Sequence, residues 1–159
     1  MSKILVFSDC HQNDWAVNKL AESFDNYDKI VFCGDGLKAV EDYIYAYPGK
    51  FIAVSGNCDW YSDFPDKAVF WLDGVKFMVT HGHRFYVKRS KDYLAMEGMR
   101  ENANCILYGH THTPAVDYVG GVTLFNGGSL GEGLTDRATF GEIEIINENI
   151  FPKFCKLSK

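Results

Sequence analysis

Three short, β-branched apolar runs, Lys3–Phe7, Ile30–Cys33 and Phe51–Val54, punctuate the opening of the chain, and helical periodicity fills the gaps between them. Unbroken apolar runs of this length read as strands buried on both faces of a sheet. The first gap spaces Ala16, Leu20 and Phe24 by four, with Val17 and Ala21 beside them, behind Asn13 or Asp14 as a cap. The second gap sets Leu37, Val40, Ile44 and Tyr47 on one helical face and stops at Pro48-Gly49. A β-α-β-α-β order predicts a parallel sheet with right-handed crossovers, because same-sense neighbours need a crossing connection.

Beyond about residue 60 the punctuation changes. Ala68–Leu72 and Val75–Thr80 flank Asp73-Gly74, and Val116–Val119 and Val122–Phe125 flank Gly120-Gly121. Both arrangements predict two-residue hairpins. A helix from about Ser90, its cap, to about Asn102 lies between them, weakened by Gly98, and the strand Cys105–Tyr108 follows. A Gly-rich loop, Asn126–Gly133, leads to Thr139–Ile146 and a last run, Ile150–Phe154. The expected class is α/β: a parallel half and an antiparallel half, two sheets packed face to face with helices outside. Nothing resembles a linker, so residues 1–159 are expected to form a single domain.

Composition excludes several function classes. With 21 acidic and 16 basic residues the net charge is −5, which argues against bulk binding to nucleic acid. No apolar run approaches the ~20 residues a membrane span needs. Met1-Ser2-Lys3-Ile4 lacks the layout of a signal peptide, so a cytoplasmic location is expected. Cys10, Cys33, Cys58, Cys105 and Cys155 are odd in number and form no Cys-x-x-Cys, which suits reduced thiols. Cys33 and Cys105 sit within apolar runs as small buried hydrophobes.

The chemistry gathers where the strands stop. Asp9 and His11 follow the first run, Asp35 the second, Asn57 the third; His81 follows the hairpin arm, and His110 and His112 follow Tyr108-Gly109. Gly109 frees the chain to turn, and an extended backbone beyond it would project His110 and His112 to one side. In open α/β sheets the crevice beyond the carboxyl ends of the strands is where ligands bind. Hard oxygen donors with imidazoles, and no required thiolate, suit Mn, Fe, Zn or a mixture. Seven donors are too many for one cation and suit two that share a bridging carboxylate. Capping aspartates and core histidines explain any one position, but not why all of them follow strands.

The ordered set Asp9-x-His11, Gly34-Asp35, Gly56-Asn57-x-Asp59, His81-Gly82-His83 and Gly109-His110-x-His112 resembles the calcineurin-like metallophosphoesterase superfamily. The short length resembles its small phosphodiesterase branch, which includes the retromer vacuolar-sorting subunit. The resemblance runs from Ser2 to about residue 141. It implies a four-layer α-β-β-α sandwich of two mixed sheets. It also implies two divalent cations, manganese first, with zinc, iron or nickel as alternatives. Asp9, His11, Asp35 and His112 would hold one ion; Asp35, Asn57, His81 and His110 would hold the other, with Asp35 as the bridge. Asp59 matches a position that orients neighbours rather than binding metal.

The activity implied is hydrolysis of a small phosphate ester, a bridging hydroxide attacking phosphorus in line with the leaving oxygen. A neutral Asn57 amide would bind metal without adding negative charge, keeping the centre electrophilic. Many relatives carry His where this chain has Cys58; a thiol of pKa ~8.5 is a poor general acid, so activated esters or diesters are the expected substrates. His83 either takes part of that role or hydrogen-bonds its neighbours. Arg84, Lys88, Arg89 and Lys91 either greet a phosphate or form a solvated helix start. Trp60, Tyr61, Phe64, Phe85 and Tyr86 suit a cleft wall, a dimer surface or core. Asn126-Gly127-Gly128-Ser129 stands where relatives often have Asn-Pro-Gly-Ser, and no catalytic role is expected of it. Two alternatives stand beside the phosphodiesterase: an interaction scaffold of the retromer-subunit type with a vestigial metal site, and a phosphomonoesterase. The natural substrate stays open among cyclic nucleotides, nucleic-acid ends and small phosphodiesters, as does self-association into a homo-oligomer.

Overall fold

The computed structural model describes residues 1–60, 62–131 and 138–157. Tyr61 and residues 132 and 133 of the Gly-rich loop lie outside them. In chain order the elements are β1 (Ser2–Phe7), α1 (Asp14–Ala21), β2 (Lys29–Phe32), α2 (Leu37–Ala46), β3 (Phe51–Ala53), β4 (Lys67–Leu72) and β5 (Val75–Thr80). Then come α3 (Asp92–Arg100), β6 (Cys105–Tyr108), β7 (Ala115–Val119), β8 (Val122–Asn126), β9 (Thr139–Ile146) and β10 (Asn149–Lys156). Asn13 caps α1 as expected, its side chain accepting the Ala16 N–H at 3.1 Å. The helix stops at Ala21, so Phe24 starts a separate 3₁₀ turn yet remains fully buried. At α3 the cap shifts: the helix starts at Asp92, and Ser90 Oγ accepts the Asp92 N–H at 3.1 Å from just outside it.

Two five-stranded sheets form, ordered β10-β9-β1-β2-β3 and β4-β5-β6-β8-β7. Both are mixed, as the family resemblance implies, and not split into a parallel and an antiparallel half as the order of runs alone suggests. In the first sheet β1, β2 and β3 run parallel, while β9 and β10 extend it antiparallel beside β1. The second sheet has its own parallel centre, β5-β6-β8, edged by the hairpin partners β4 and β7. The physical reason is that α3 serves as a crossover between β5 and β6. A hairpin fixes only the pairing of its own arms, leaving the far edge of β8 free to join β6 in the same sense.

The apolar runs are continuous because both faces of each central strand are covered. Ile4, Val6, Val31 and Cys33 meet Phe77, Val79, Cys105, Leu107 and Phe125 between the sheets. The alternate residues Leu5, Phe7, Ile30 and Phe32 pack under α1 and α2 through Ala16, Val17, Leu20, Leu37 and Val40. On the other outer face Met78, Ile106 and Leu124 pack under Leu94 and Ala95 of α3. Helix, sheet, sheet and helix thus make four layers. Burial raises the pKa of the Cys33 and Cys105 thiols, which lie unpaired in the inter-sheet core. On β9, Glu142 accepts the Tyr27 hydroxyl and pairs with Lys3 at 3.9 Å and Lys153 at 3.3 Å. Among the described residues no helix is long and apolar enough to cross a membrane.

Candidate metal centre

The parallel strands of both sheets end on one edge, and there the chain turns abruptly. Asp9, His11, Asp35, His110 and His112 all adopt positive φ, from 47° to 73°. Non-glycine residues rarely accept this conformation, and it persists only where surroundings enforce it. Here the enforcement is visible: the Asp9 N–H donates to Gly34 O at 2.9 Å, and the His11 N–H to Asp35 O at 3.1 Å. The His110 N–H donates to Asp9 Oδ2 at 3.0 Å, across 101 residues of sequence.

These turns correct two sequence expectations. His110 and His112 do not project together from an extended strand. His112 Nε2 lies 3.2 Å from Asp9 Oδ1, whereas the His110 ring lies 5.0 Å from that of His81. Gly109, too, is needed for room rather than for a turn. A Cβ there would lie 2.5 Å from Ser8 Oγ and 2.7 Å from Asp9 Oδ2.

Two groups of donors result, each with ligand atoms within 4.8 Å of one another: Asp9, His11 and His112, and Asp35, His81 and His110. They abut, because His81 Nε2 is 3.7 Å from Asp9 Oδ1 and 3.2 Å from Asp35 Oδ2. A third such group, His11, Asp35 and Cys58, spans the two. Sequence reasoning gave Cys58 no place among the donors, and a lone thiol beside Asn57 carries no motif that would have found it. Asn57 itself is exposed at the rim, its amide nitrogen donating to Cys58 Sγ at 3.5 Å.

The donor chemistry fits cations. His81 Nδ1 lies 2.7 Å from the Cys33 carbonyl, which holds the proton on that nitrogen. Nε2 then directs a lone pair toward two carboxylates. Asp9 Oδ1 and His81 Nε2 are both buried without a hydrogen-bond partner, an arrangement that positive charge among them, a metal ion or a proton, would relieve. Burial raises the Asp9 pKa against the opposing pull of His81, Ser8, His110 and His112. Burial also resists ionisation of Asp35, yet contacts from His81 and Cys58 outweigh it and hold the carboxyl at about 2. Burial, together with the charges of His81 and Lys88, pushes His110 down to about 4, leaving its ring neutral. Burial works against the His81 cation, but Asp35 and Asp9 raise its pKa.

Around the donors stands a supporting shell. Asp59 accepts four backbone N–H groups, from Asp35 at 2.7 Å, Gly36 at 2.8 Å, Leu37 at 3.0 Å and Gly56 at 2.8 Å. It thereby caps α2, whose own N-cap residue, Gly36, has no side chain to do so. Gly56 passes so close to Asp35 that a Cβ would fall 2.1 Å from Oδ1. The Cys58 N–H donates to that same oxygen at 2.8 Å. Asn126, which ends β8 where the loop expected to be inert begins, donates to Gly109 O at 3.1 Å and Thr111 Oγ1 at 2.9 Å, and so ties down the His110 turn.

His83 flanks the centre with its ring 5.4 Å from His81 and 6.0 Å from His110, and its Nδ1 is buried without a partner. Burial and the charges of His81 and Arg84 lower its pKa. The basic cluster is divided: Arg84 pairs with Asp66 at 3.0 Å and Lys91 with Asp117, while Lys88 and Arg89 are exposed. Phe85 packs against the core under α3, and Tyr86 is exposed beside Tyr93.

Comparison with known proteins agrees with this geometry. The family model of the calcineurin-like phosphoesterase superfamily domain matches residues 2–148. A probable metallophosphoesterase of Methanocaldococcus jannaschii is 33% identical over 128 residues, covering 78% of this chain and 66% of the relative, just under two thirds. A phosphodiesterase of the same organism is 26% identical over 160 residues, covering 89% of this chain and 92% of its own. The crystal structure of a predicted phosphoesterase from Streptococcus pneumoniae superposes with a TM-score of 0.82 at 26% identity, covering 98% of this chain and 89% of that one. Vps29 of Entamoeba histolytica shares the fold at a TM-score of 0.73 and 16% identity over 98% of this chain and 99% of its own. This chain belongs to the calcineurin-like phosphoesterase superfamily.

Proposed function

We propose that the protein is a metal-dependent phosphodiesterase that hydrolyses a small phosphate ester at a centre for two divalent cations. One observation carries the reading: two abutting groups of three donors each, with buried lone pairs left unpartnered between them. Asp9, His11, Asp35 and His112 would hold one ion, and Asp35, Asn57, His81 and His110 the other. When bound, such a pair supplies Lewis-acid stabilisation of the phosphoryl oxygens and an activated water.

The chain's own residues supply the rest. The Cys33 carbonyl fixes the His81 tautomer, and Asp59 fixes the two turns that carry Asp35 and Gly56. The preorganisation of these groups is what lets fixed charge act on a developing transition state without rearrangement. The bridge role of Asp35 is supported by its membership of both the His81–His110 group and the His11–Cys58 group. No strong general acid stands beside the donors at Cys58, whose thiol pKa is raised by burial and by Asp35. That favours esters whose alcohol leaves without protonation, which is why a diester is proposed over a monoester.

The test is hydrolysis of bis(p-nitrophenyl) phosphate against p-nitrophenyl phosphate in Mn, Ni, Zn and chelator. The expected outcome is diester turnover that needs metal, manganese best, and exceeds monoester turnover. Absence of turnover with every metal would favour a scaffold, and a monoester preference would make the protein a phosphatase.

A further inference from the structure

Beside the centre lies a cavity of about 620 Å³ between α2 and the loop after Asn57. Cys58 is common to the cavity and the candidate centre: it lines the cavity, and its Sγ lies within 4.8 Å of donor atoms of His11 and Asp35. Trp60 lines it as well and, at 78%, is the most exposed of the three tryptophans. Its ring is nevertheless held: Nε1 donates to the Asn57 carbonyl at 3.1 Å, tying the indole to the loop that carries a metal donor. Tyr45, 69% exposed on α2, contributes a second ring to the lining. Lys38 is outnumbered there by the carboxylates of Glu41, Asp59 and Asp63.

We propose that this cavity is the subsite for the half of the phosphodiester that stays on phosphorus, a neutral nucleoside whose base stacks on Trp60. The proposal rests on the phosphodiesterase reading and names its substrate class. The size is within the range of small-molecule sites. A surplus of carboxylates repels a second phosphate, so a polyphosphate or a nucleic-acid strand is disfavoured and an uncharged nucleoside fits. A planar base gains most from an exposed, anchored indole, and stacking of this kind is worth about tenfold or more in affinity.

Two measurements test it. The first needs no metal: adenosine titrated into metal-free protein, with tryptophan emission as the readout, is expected to quench saturably while ribose does not. The quench should vanish in Trp60→Leu and persist in Trp71→Leu, whose indole lies on β4. The second compares p-nitrophenyl thymidine 5′-phosphate with methyl p-nitrophenyl phosphate, which share a leaving group. Wild type should prefer the nucleoside ester by about tenfold in kcat/KM; Trp60→Leu should lose that preference, and Trp60→Phe, which keeps a ring to stack on, should retain it. Equal quenching in wild type and Trp60→Leu, or an ester preference unaffected by Trp60→Leu, overturns the proposal. If neither ester turns over with any metal, the phosphodiesterase reading fails, while the quenching result still decides whether the cavity takes a nucleoside.

Discussion

The Asp59 carboxylate holds the backbone of Asp35 from 24 residues away, with Oδ2 2.7 Å from the Asp35 N–H. The same side chain receives the N–H groups of Gly36, Leu37 and Gly56, so one residue sets two of the turns that form the centre. In Asp59→Ala those four donors lose their acceptor. Hydrogen bonds to a charged group contribute about 1.5–3 kcal/mol each, but water can reach some of these donors. The expected loss is about 3 kcal/mol of stability, or roughly 6–12 °C in Tm for a chain of this size. Mn affinity should weaken by about 10–100-fold, as for other supporting partners of metal ligands. Thermal melts and calorimetric Mn titration check both, and Asp59→Asn, which keeps one acceptor oxygen, should fall between.

Removing a donor should cost more than removing its support. His110→Ala and Asn57→Ala are each expected to lower diesterase turnover by more than about 100-fold and to weaken binding of one of two Mn equivalents. Near-normal turnover in Asn57→Ala would show that its amide, exposed at the rim, is not a ligand.

Cys58→Ser tests whether the thiol is needed. Its backbone N–H to Asp35 Oδ1 does not depend on the side chain. Turnover should therefore stay within about fivefold of wild type, less than 1 kcal/mol in the barrier. A collapse would make the sulfur a required donor of the His11–Asp35–Cys58 group.

Acid stability has a contributor far from the centre. Burial opposes ionisation of Glu142, but Tyr27, Lys153 and Lys3 outweigh it and lower its pKa below the ordinary 4.5. A carboxyl depressed on folding contributes stability that is present above its unfolded pKa and is lost as pH falls through the folded value. The metal-free protein should thus lose stability below about pH 4.5 more steeply than Glu142→Gln, by about 1 kcal/mol or less given the partial exposure of its lysine partners. Denaturant melts at pH 7 and pH 3 measure the difference.

The central strands were legible because burial on both faces leaves an unmistakable apolar run, as in Ile4–Phe7 or Cys105–Tyr108. The sense of β8 against β6 was not, since nothing local in Val122–Asn126 encodes its far neighbour. At the centre, residue type and position after a strand were enough to single out Asp9, Asp35 and the histidines. The left-handed turns that aim them were invisible, because only glycine advertises that conformation and these residues are forced into it by distant partners such as Gly34 and Asp9. The places of Cys58 beside the donors and of Asn126 under the His110 turn were hidden for the same reason: they come from tertiary neighbours, not from spacing.

The donors do not belong to one sheet. Asp9, His11 and Asp35 follow β1 and β2, while His81, His110 and His112 follow β5 and β6 of the opposite sheet. An ion held by both sets would work as a rivet through the seam of the sandwich, and sliding one layer over the other would first have to tear ligands from it. Metal loading would then stiffen the apolar interior in the same act that readies its edge for chemistry.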